Sequence, residues 1–421
     1  MRTLIVSDLH LGGLSGVDLL RRPAIRAALL GELAGSDIDR LVLLGDVLEL
    51  RHGPPHEALD GSRAFFEDLG RALGHDRELV IVAGNHDHLM VCAWLDRRAL
   101  HEPAPEPLGL EQRIEPAEAS PLLARIAQWA APARVSVAYP GLWVASGVYA
   151  MHGHFLDAHL TIPTLERIGV GAMGRLLERR PSDPAFGSVE DYEAVTAPIY
   201  AWRDAITRYT RASPVLNGLA TGRAWRALSR ASLAEAQAGA AGSQAQADGS
   251  SMSPNGHRSR PPAYRRMARA VSASVRGGAI RRGFPLMVEG LNRAGLGPLH
   301  ADISRPELRR SGLRAMGEVA ARLGLGDAYV IFGHTHRAGP LPGDSAYEWR
   351  GRGGARLINT GSWVYDAIFL TPTPGESPYW PGTCVVVDDD GGPSAPPPQL
   401  RRLLVDRSHA DLIASPETIA V

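Results

Sequence analysis

The chain has 421 residues, 44% of them hydrophobic, enough for a sizeable core and for either several domains or one large domain carrying an insertion. Lys plus Arg and Asp plus Glu number 45 each, so no bulk charge draws the protein to nucleic acid or to an anionic membrane. Only two cysteines, Cys92 and Cys384, are present, which excludes a disulfide framework and a thiolate zinc site and fits a reducing compartment.

Met1-Arg2 leads straight into the apolar run 4–6, with no secretory signal, so a cytosolic protein is expected. No uninterrupted apolar stretch reaches the roughly 18 residues of a spanning helix. The first third then alternates. Residues 21–33 have helical spacing, 41–44 form a second apolar run, 64–73 are again helical, and 79–83 form a third run. This alternation predicts βαβ units with parallel central strands.

Beyond Ala83 come a proline-rich connector at 102–107 and a helical stretch at 121–130, and strands are expected at 134–137, 142–145 and 148–151. From 155 to about 323 apolar residues recur at helical spacing in 165–177, 192–209, 263–275 and 308–323, with no convincing strand between them. Residues 234–262, rich in Ala, Gly, Ser and Gln, are expected to be a floppy loop without a function of their own. The strand pattern returns at 328–332, 356–359, 383–387 and 400–405.

Five blocks of metal-ligand residue types stand directly after apolar runs: Asp8-Leu9-His10, Gly45-Asp46, Gly84-Asn85-His86-Asp87, His152-Gly153-His154 and Gly333-His334-Thr335-His336. Carboxylate, imidazole and amide donors suit borderline divalent metals such as Mn, Fe, Zn, Co or Ni. An isolated Asp after a strand is usually a turn former, and an isolated buried His is usually a hydrogen-bonded core residue. Five blocks in series, at the carboxyl ends where open α/β sheets place their sites, point instead to a two-metal hydrolase.

On these blocks the chain resembles the calcineurin-like metallophosphoesterases, over roughly the first 155 and the last 95 residues. The resemblance implies an α/β fold, a four-layer α-β-β-α sandwich of two mixed sheets, with a dinuclear centre at the strand ends. The catalytic domain then comprises residues 1–155 and 325–421, interrupted by a helical insertion or cap at 156–324. Carried over residue by residue, it gives one metal to Asp8, His10 and His336, the other to Asn85, His152 and His334, and makes Asp46 the bridge. The cofactors it implies are two divalent ions, Mn²⁺ first, with Fe, Zn, Ni or Co as alternatives. Water held between two such cations loses a proton near neutral pH and becomes the nucleophile. His86, which follows the metal-binding Asn, takes the role of general acid toward the leaving oxygen. Asp87 either orients His86 or holds the turn.

Other candidates are less determined by sequence. His154 can face substrate, support a ligand from behind, or fill space, and Arg337, Arg51 and His52 are candidates for phosphate contact because guanidinium grips phosphate through two hydrogen bonds. The segment 359–362 either closes the floor of the site or is a plain turn. The expected partner is a phosphoester: a phosphomonoester, phosphodiester or pyrophosphate. One branch of the family, the UDP-diacylglucosamine pyrophosphatases, shares the opening and closing motifs and uses a helical insertion as a lid for acyl chains, but carries Arg where this chain has His86 and has a shorter insertion. A nuclease and a non-catalytic binding module on the same fold are further readings. The arginines between 258 and 282 and the apolar stretches 162–165 and 284–288 leave peripheral membrane contact through the cap open.

Overall fold

In the computed structural model, which describes residues 1–13, 16–51, 53–103, 105–209, 283–367, 369–371, 373, 376–391 and 396–413, the three early apolar runs become adjacent parallel strands. They are β1 (Arg2–Val6), β2 (Arg40–Leu44) and β3 (Glu78–Val82), with Leu4 opposite Leu41 and Val42 opposite Val80. Their apolar residues are buried on both faces, which is why they read as continuous rather than alternating hydrophobic segments. Helices Pro23–Gly35 and Pro55–Leu73 make the crossovers that parallel pairing requires, each with proline in its first turn, where no N–H is missed.

Two expectations need revision. Residues 134–137 and 142–145 belong to one long strand, β5 (Arg134–Ala145), separate from the short polar strand β4 (Glu111–Ile114) that pairs antiparallel with it. The first half of β5 runs parallel to β3, and the second half pairs antiparallel with β6 (Val148–Met151). Pro140 and Gly141, in the gap between the two expected strands, stand where β5 exchanges one neighbour for the other. A proline is tolerated there because the ladder changes partner at that point. The helix Leu89–Ala99 was also not anticipated, because the alternation of the first third fades over it.

The remaining strands are β7 (Tyr329–Phe332), parallel to β6, and β8 (Arg356–Asn359), parallel to β7. Strands β9 (Thr383–Asp388), antiparallel to β1, and β10 (Gln399–Arg402), antiparallel to β9, close the other edge. The order β10-β9-β1-β2-β3-β5-β6-β7-β8, with β4 on β5, makes one large mixed sheet. Helix Arg305–Arg322 delivers the chain into β7, so the segment between β6 and β7 is a parallel crossover enlarged by further helices. These include Leu165–Leu176, Val189–Tyr209 and 283–293; no strand occurs between residues 152 and 328 among the described residues.

The loop expected at 234–262, the helix expected at 263–275 and the arginines of 258–282 lie outside the described residues. No described helix is long and apolar enough to cross a membrane. Three clusters of buried apolar residues follow from this layout. One joins β1, β2 and β3 to helices Pro23–Gly35, Pro55–Leu73 and Pro121–Trp129. A second joins β6, β7 and β8 to Val189–Tyr209 and Arg305–Arg322. The third, with Ile5, Val42, Val80, Val144, Ala150, Ile331 and Val385, consists of strand residues alone. Trp363 and Trp380 are core residues, each donating its indole N–H to a backbone carbonyl, of Thr383 and Leu404 respectively.

Candidate metal centre

Strands β1, β2, β3, β6 and β7 each run out into one of the five sequence blocks, and the fold brings the blocks together. His10 Nε2 lies 3.2 Å from His336 Nε2, which lies 3.2 Å from Asp8 Oδ1. His152 Nε2 and His334 Nδ1 lie 3.2 and 3.1 Å from the Asn85 side-chain amide. Asp46 Oδ2 stands between the two groups, 3.3 Å from His152 Nε2 and 3.6 Å from His10 Nε2. Its other oxygen accepts the His86 backbone N–H at 2.7 Å, which fixes the carboxylate.

The backbone makes this convergence possible. Asp8, His10, Asp46, His334 and His336 are five of the eight non-glycine residues with positive φ among the described residues. Asp and His tolerate this left-handed region better than bulkier side chains, but it still costs roughly 1–3 kcal/mol per residue and concentrates where function demands it. Gly84 and Gly333 permit the closest approaches. A Cβ on Gly84 would come within 2.3 Å of Asp46 Oδ1 and 2.5 Å of Asp46 N, and one on Gly333 within 2.3 Å of both Asp8 Oδ2 and Ser7 Oγ. Gly84→Ala is therefore expected to cost about 1–3 kcal/mol by overpacking and to displace Asp46. Gly31→Ala, in open space on a helix, should be neutral or stabilising. Urea unfolding of the two variants checks the contrast.

The donor set fits cations. Bonds of roughly 2.0–2.2 Å place neighbouring ligand atoms about 3.0–3.5 Å apart, the range found here within both groups. Asp8, His10 and His336 form one group able to hold an ion, and Asp46, His152 and His334 form another. The Asn85 amide supports this. With its nitrogen toward His334 Nδ1, His152 Nε2 and Asp46 Oδ2, it donates to all three while its oxygen accepts from Arg51 Nη1 at 3.0 Å. Turned the other way, its oxygen joins three lone-pair donors at one point, an arrangement a cation satisfies.

Electrostatics in the cluster are tightly coupled. Burial raises the Asp46 carboxyl, but His152, His86 and His10 hold it well below its usual range. Burial lowers His152, and Asp46 with Asp8 more than offsets this, bringing it to about 10. His10 rises to about 9 because Glu49 and Asp46 outweigh its burial.

Glu49 is a residue that sequence reasoning missed. Only 3% exposed, it lies 3.0 Å from His10 Nδ1 and 2.8 Å from His86 Nδ1. A charged residue between Leu48 and Leu50, both buried, is itself a signal, because a carboxylate in an apolar run needs partners. Burial pushes the His86 imidazole down to about 4 although Glu49 and Asp46 pull it up.

Asp87 is fully buried and accepts from the backbone amides of Gly84, Val47 and Leu48, at 2.7, 2.6 and 3.2 Å. It ties the loop after β3 to the loop after β2. Of the two roles sequence allowed it, these contacts belong to holding the turn, and the side chain at His86 Nδ1 is Glu49. Burial, with Asp46 nearby, raises Asp87 to about 6.

The other candidates are placed as follows. His154 is 1% exposed, between the rings of His152, Phe155 and Tyr200, and neither ring nitrogen has a hydrogen-bond partner among the described residues. Arg51 is buried with its guanidinium over Tyr200. Arg337 borders the cavity, paired with Asp344 through contacts of 2.6 and 3.1 Å. His52 lies outside the described residues. Asn359 braces the histidine loop, donating to Gly333 O and Thr335 Oγ1 and accepting from Gly361 N. His88 is a buried structural residue, paired with Glu193 at 3.1 Å.

The cluster opens into a cavity of about 450 Å³. His10, Asp46, Asn85, His86, His334 and His336 line its floor, and Leu156, Leu160, Ile162, Leu308, Leu313 and Phe369 contribute apolar walls.

Residues 1–188 match the family model described as calcineurin-like phosphoesterase. No curated protein matches the chain. The match includes Asp8, His10, Asp46, Asn85, His86 and His152 and ends before His334 and His336, which the fold returns to the same place through β7.

Proposed function

Since residues 1–188 are of the calcineurin-like phosphoesterase family, we propose that this chain is a dinuclear metal-dependent phosphoesterase whose substrate carries an apolar group beside the reacting phosphorus. The observation that carries the reading is the convergence of seven donor side chains, at ligand spacing, on two points joined by Asp46 Oδ2. Asp8, His10 and His336 would hold one ion, and Asn85, His152 and His334 the other. Asp46 would be shared, offsetting part of the repulsion between two cations. Ions bound there supply positive charge that polarises phosphoryl oxygens and acidifies water for in-line attack. Mn²⁺ heads the candidates, with Fe, Zn, Ni and Co suited to the same donors.

The chain's own residues supply the rest. Glu49 takes the Nδ1 side of His86, leaving Nε2 for the leaving oxygen. The ring is largely neutral while burial dominates, and the negative charge of an entering phosphoester favours its protonated form. His86 then delivers the proton as the ester bond breaks. Leu156, Leu160 and Ile162 exclude water from one wall of the cavity and favour an apolar substituent.

The three apolar clusters suit a four-layer α-β-β-α arrangement, with the strand-only cluster between two halves of the sheet. Free Cys92 and Cys384 suit the cytoplasm. The test is a substrate screen of purified protein with Mn²⁺, across monoesters, cyclic and linear diesters and nucleotide-sugar pyrophosphates, with metal content measured on the same sample. Turnover favouring esters with an apolar group is expected. Two tightly bound ions with no turnover on any member would replace the enzyme by a binding module.

A further inference from the structure

Of the four imidazoles at the two candidate ion positions, His10, His152 and His334 each have a partner on the ring nitrogen facing away. For His10 it is Glu49, at 3.0 Å, and for His152 it is the Leu44 carbonyl, at 3.0 Å, both supplied by β2 and the loop after it. For His334 it is different. Its Nε2 lies 3.2 Å from Asp157 Oδ1, and Asp157 belongs to the first turn of the enlarged crossover, the short helix His154–Ala158.

We propose that Asp157 is a positioning residue for the second ion, setting the tautomer and angle of His334 so that Nδ1 is the nitrogen free to ligate. The inference rests on the two-ion reading above. Asp157 is 3% exposed, and its only hydrogen bond among the described residues is the one to His334. A carboxylate so buried accepts the Nε2 proton, which leaves the lone pair on Nδ1. That atom is the one beside Asn85, while the His334 backbone N–H is held by Asp8 at 3.0 Å. Backbone and ring are thereby fixed from opposite sides. A ligand histidine whose second nitrogen meets a carboxylate is more basic and better oriented, and loss of that carboxylate typically lowers metal affinity roughly 10–100-fold.

The location has a consequence. Asp157 is flanked by Leu156 and followed by Leu160 and Ile162, all walls of the cavity. The element that meets the apolar part of a substrate also holds the ligand of one ion, so occupancy of that wall and affinity for that ion are linked in both directions.

The experiment is Mn²⁺ binding to the full chain by titration calorimetry, with the electron paramagnetic resonance signal of the coupled pair as a second readout. The wild type is expected to bind two ions. In Asp157→Ala, one of the two should weaken roughly 10–100-fold, and the coupled-pair signal should give way to that of a single Mn²⁺ at limiting metal. Asp157→Asn, which keeps an acceptor for Nε2 but loses the charge, should fall between the two. It also serves as the measured variant if circular dichroism shows that the alanine variant does not fold. Wild-type affinity at both positions in the folded variants overturns the proposal. A folded wild type that binds fewer than two ions overturns the two-ion reading instead. Full metal binding with only a raised KM would make Asp157 a substrate contact and likewise overturn the positioning role.

Discussion

Asp46→Asn is expected to lower kcat/KM by about three orders of magnitude, the equivalent of several kcal/mol of charge stabilisation, while leaving the protein folded. Folding should survive for a local reason: position 46 has φ of 51°, and Asn occupies that region as readily as Asp. An amide can also keep the oxygen that accepts the His86 N–H. Its nitrogen must then replace Oδ2, the atom 3.3 Å from His152 and 3.6 Å from His10. Two hydrogens would point at the positions where lone pairs are needed, and the negative charge shared by both groups would be gone. Thermal melting should therefore show a soluble, cooperative variant, with Mn²⁺ stoichiometry below two. Retention of both ions with near-normal turnover would remove Asp46 from the bridging role.

The same residue shows why so much of the site was legible. An apolar run ending on a small residue and then a polar one marks a strand leaving the core, and this occurs at Val6-Ser7-Asp8, Leu44-Gly45-Asp46 and Phe332-Gly333-His334. Burial on both faces gives central strands an unbroken apolar signal that survives in any single sequence. Edge elements have no such constraint. β4, Glu111–Ile114, is an edge strand whose single fully buried side chain is Ile114, so its residues carry no periodicity. The split of β5 failed differently: Pro140-Gly141 has the chemistry of a turn, and only the exchange of neighbours explains a proline within a strand. Glu49 and Asp157 were missed because each is a single acidic residue in an apolar context, Leu-Glu-Leu and Phe-Leu-Asp-Ala. Local sequence gives no hint of a partner 37 residues away for Glu49 or 177 away for Asp157. The burden of a buried charge is a general warning that such a partner exists. Its identity is a property of the fold.

His86→Ala is the second large effect, and its size should depend on the leaving group. For an alkyl phosphoester, whose alkoxide must be protonated as it departs, kcat should fall by about 10²–10⁴-fold. For a nitrophenyl ester, whose leaving group is stable as an anion, the loss should be small. KM should change little in either case if His86 acts only on the departing oxygen. Glu49→Gln should reproduce the dependence more weakly for alkyl esters, because Gln can still meet His86 Nδ1 but supplies no charge to favour the protonated ring. Gln at that position also faces His10 Nδ1, so metal content must be measured on each variant before its rates are compared. The decisive quantity is the ratio of alkyl to nitrophenyl turnover at full metal occupancy. An equal slowing of both ester classes in His86→Ala would mean that His86 supports binding or geometry, and the proton would have to come from another group at the cavity.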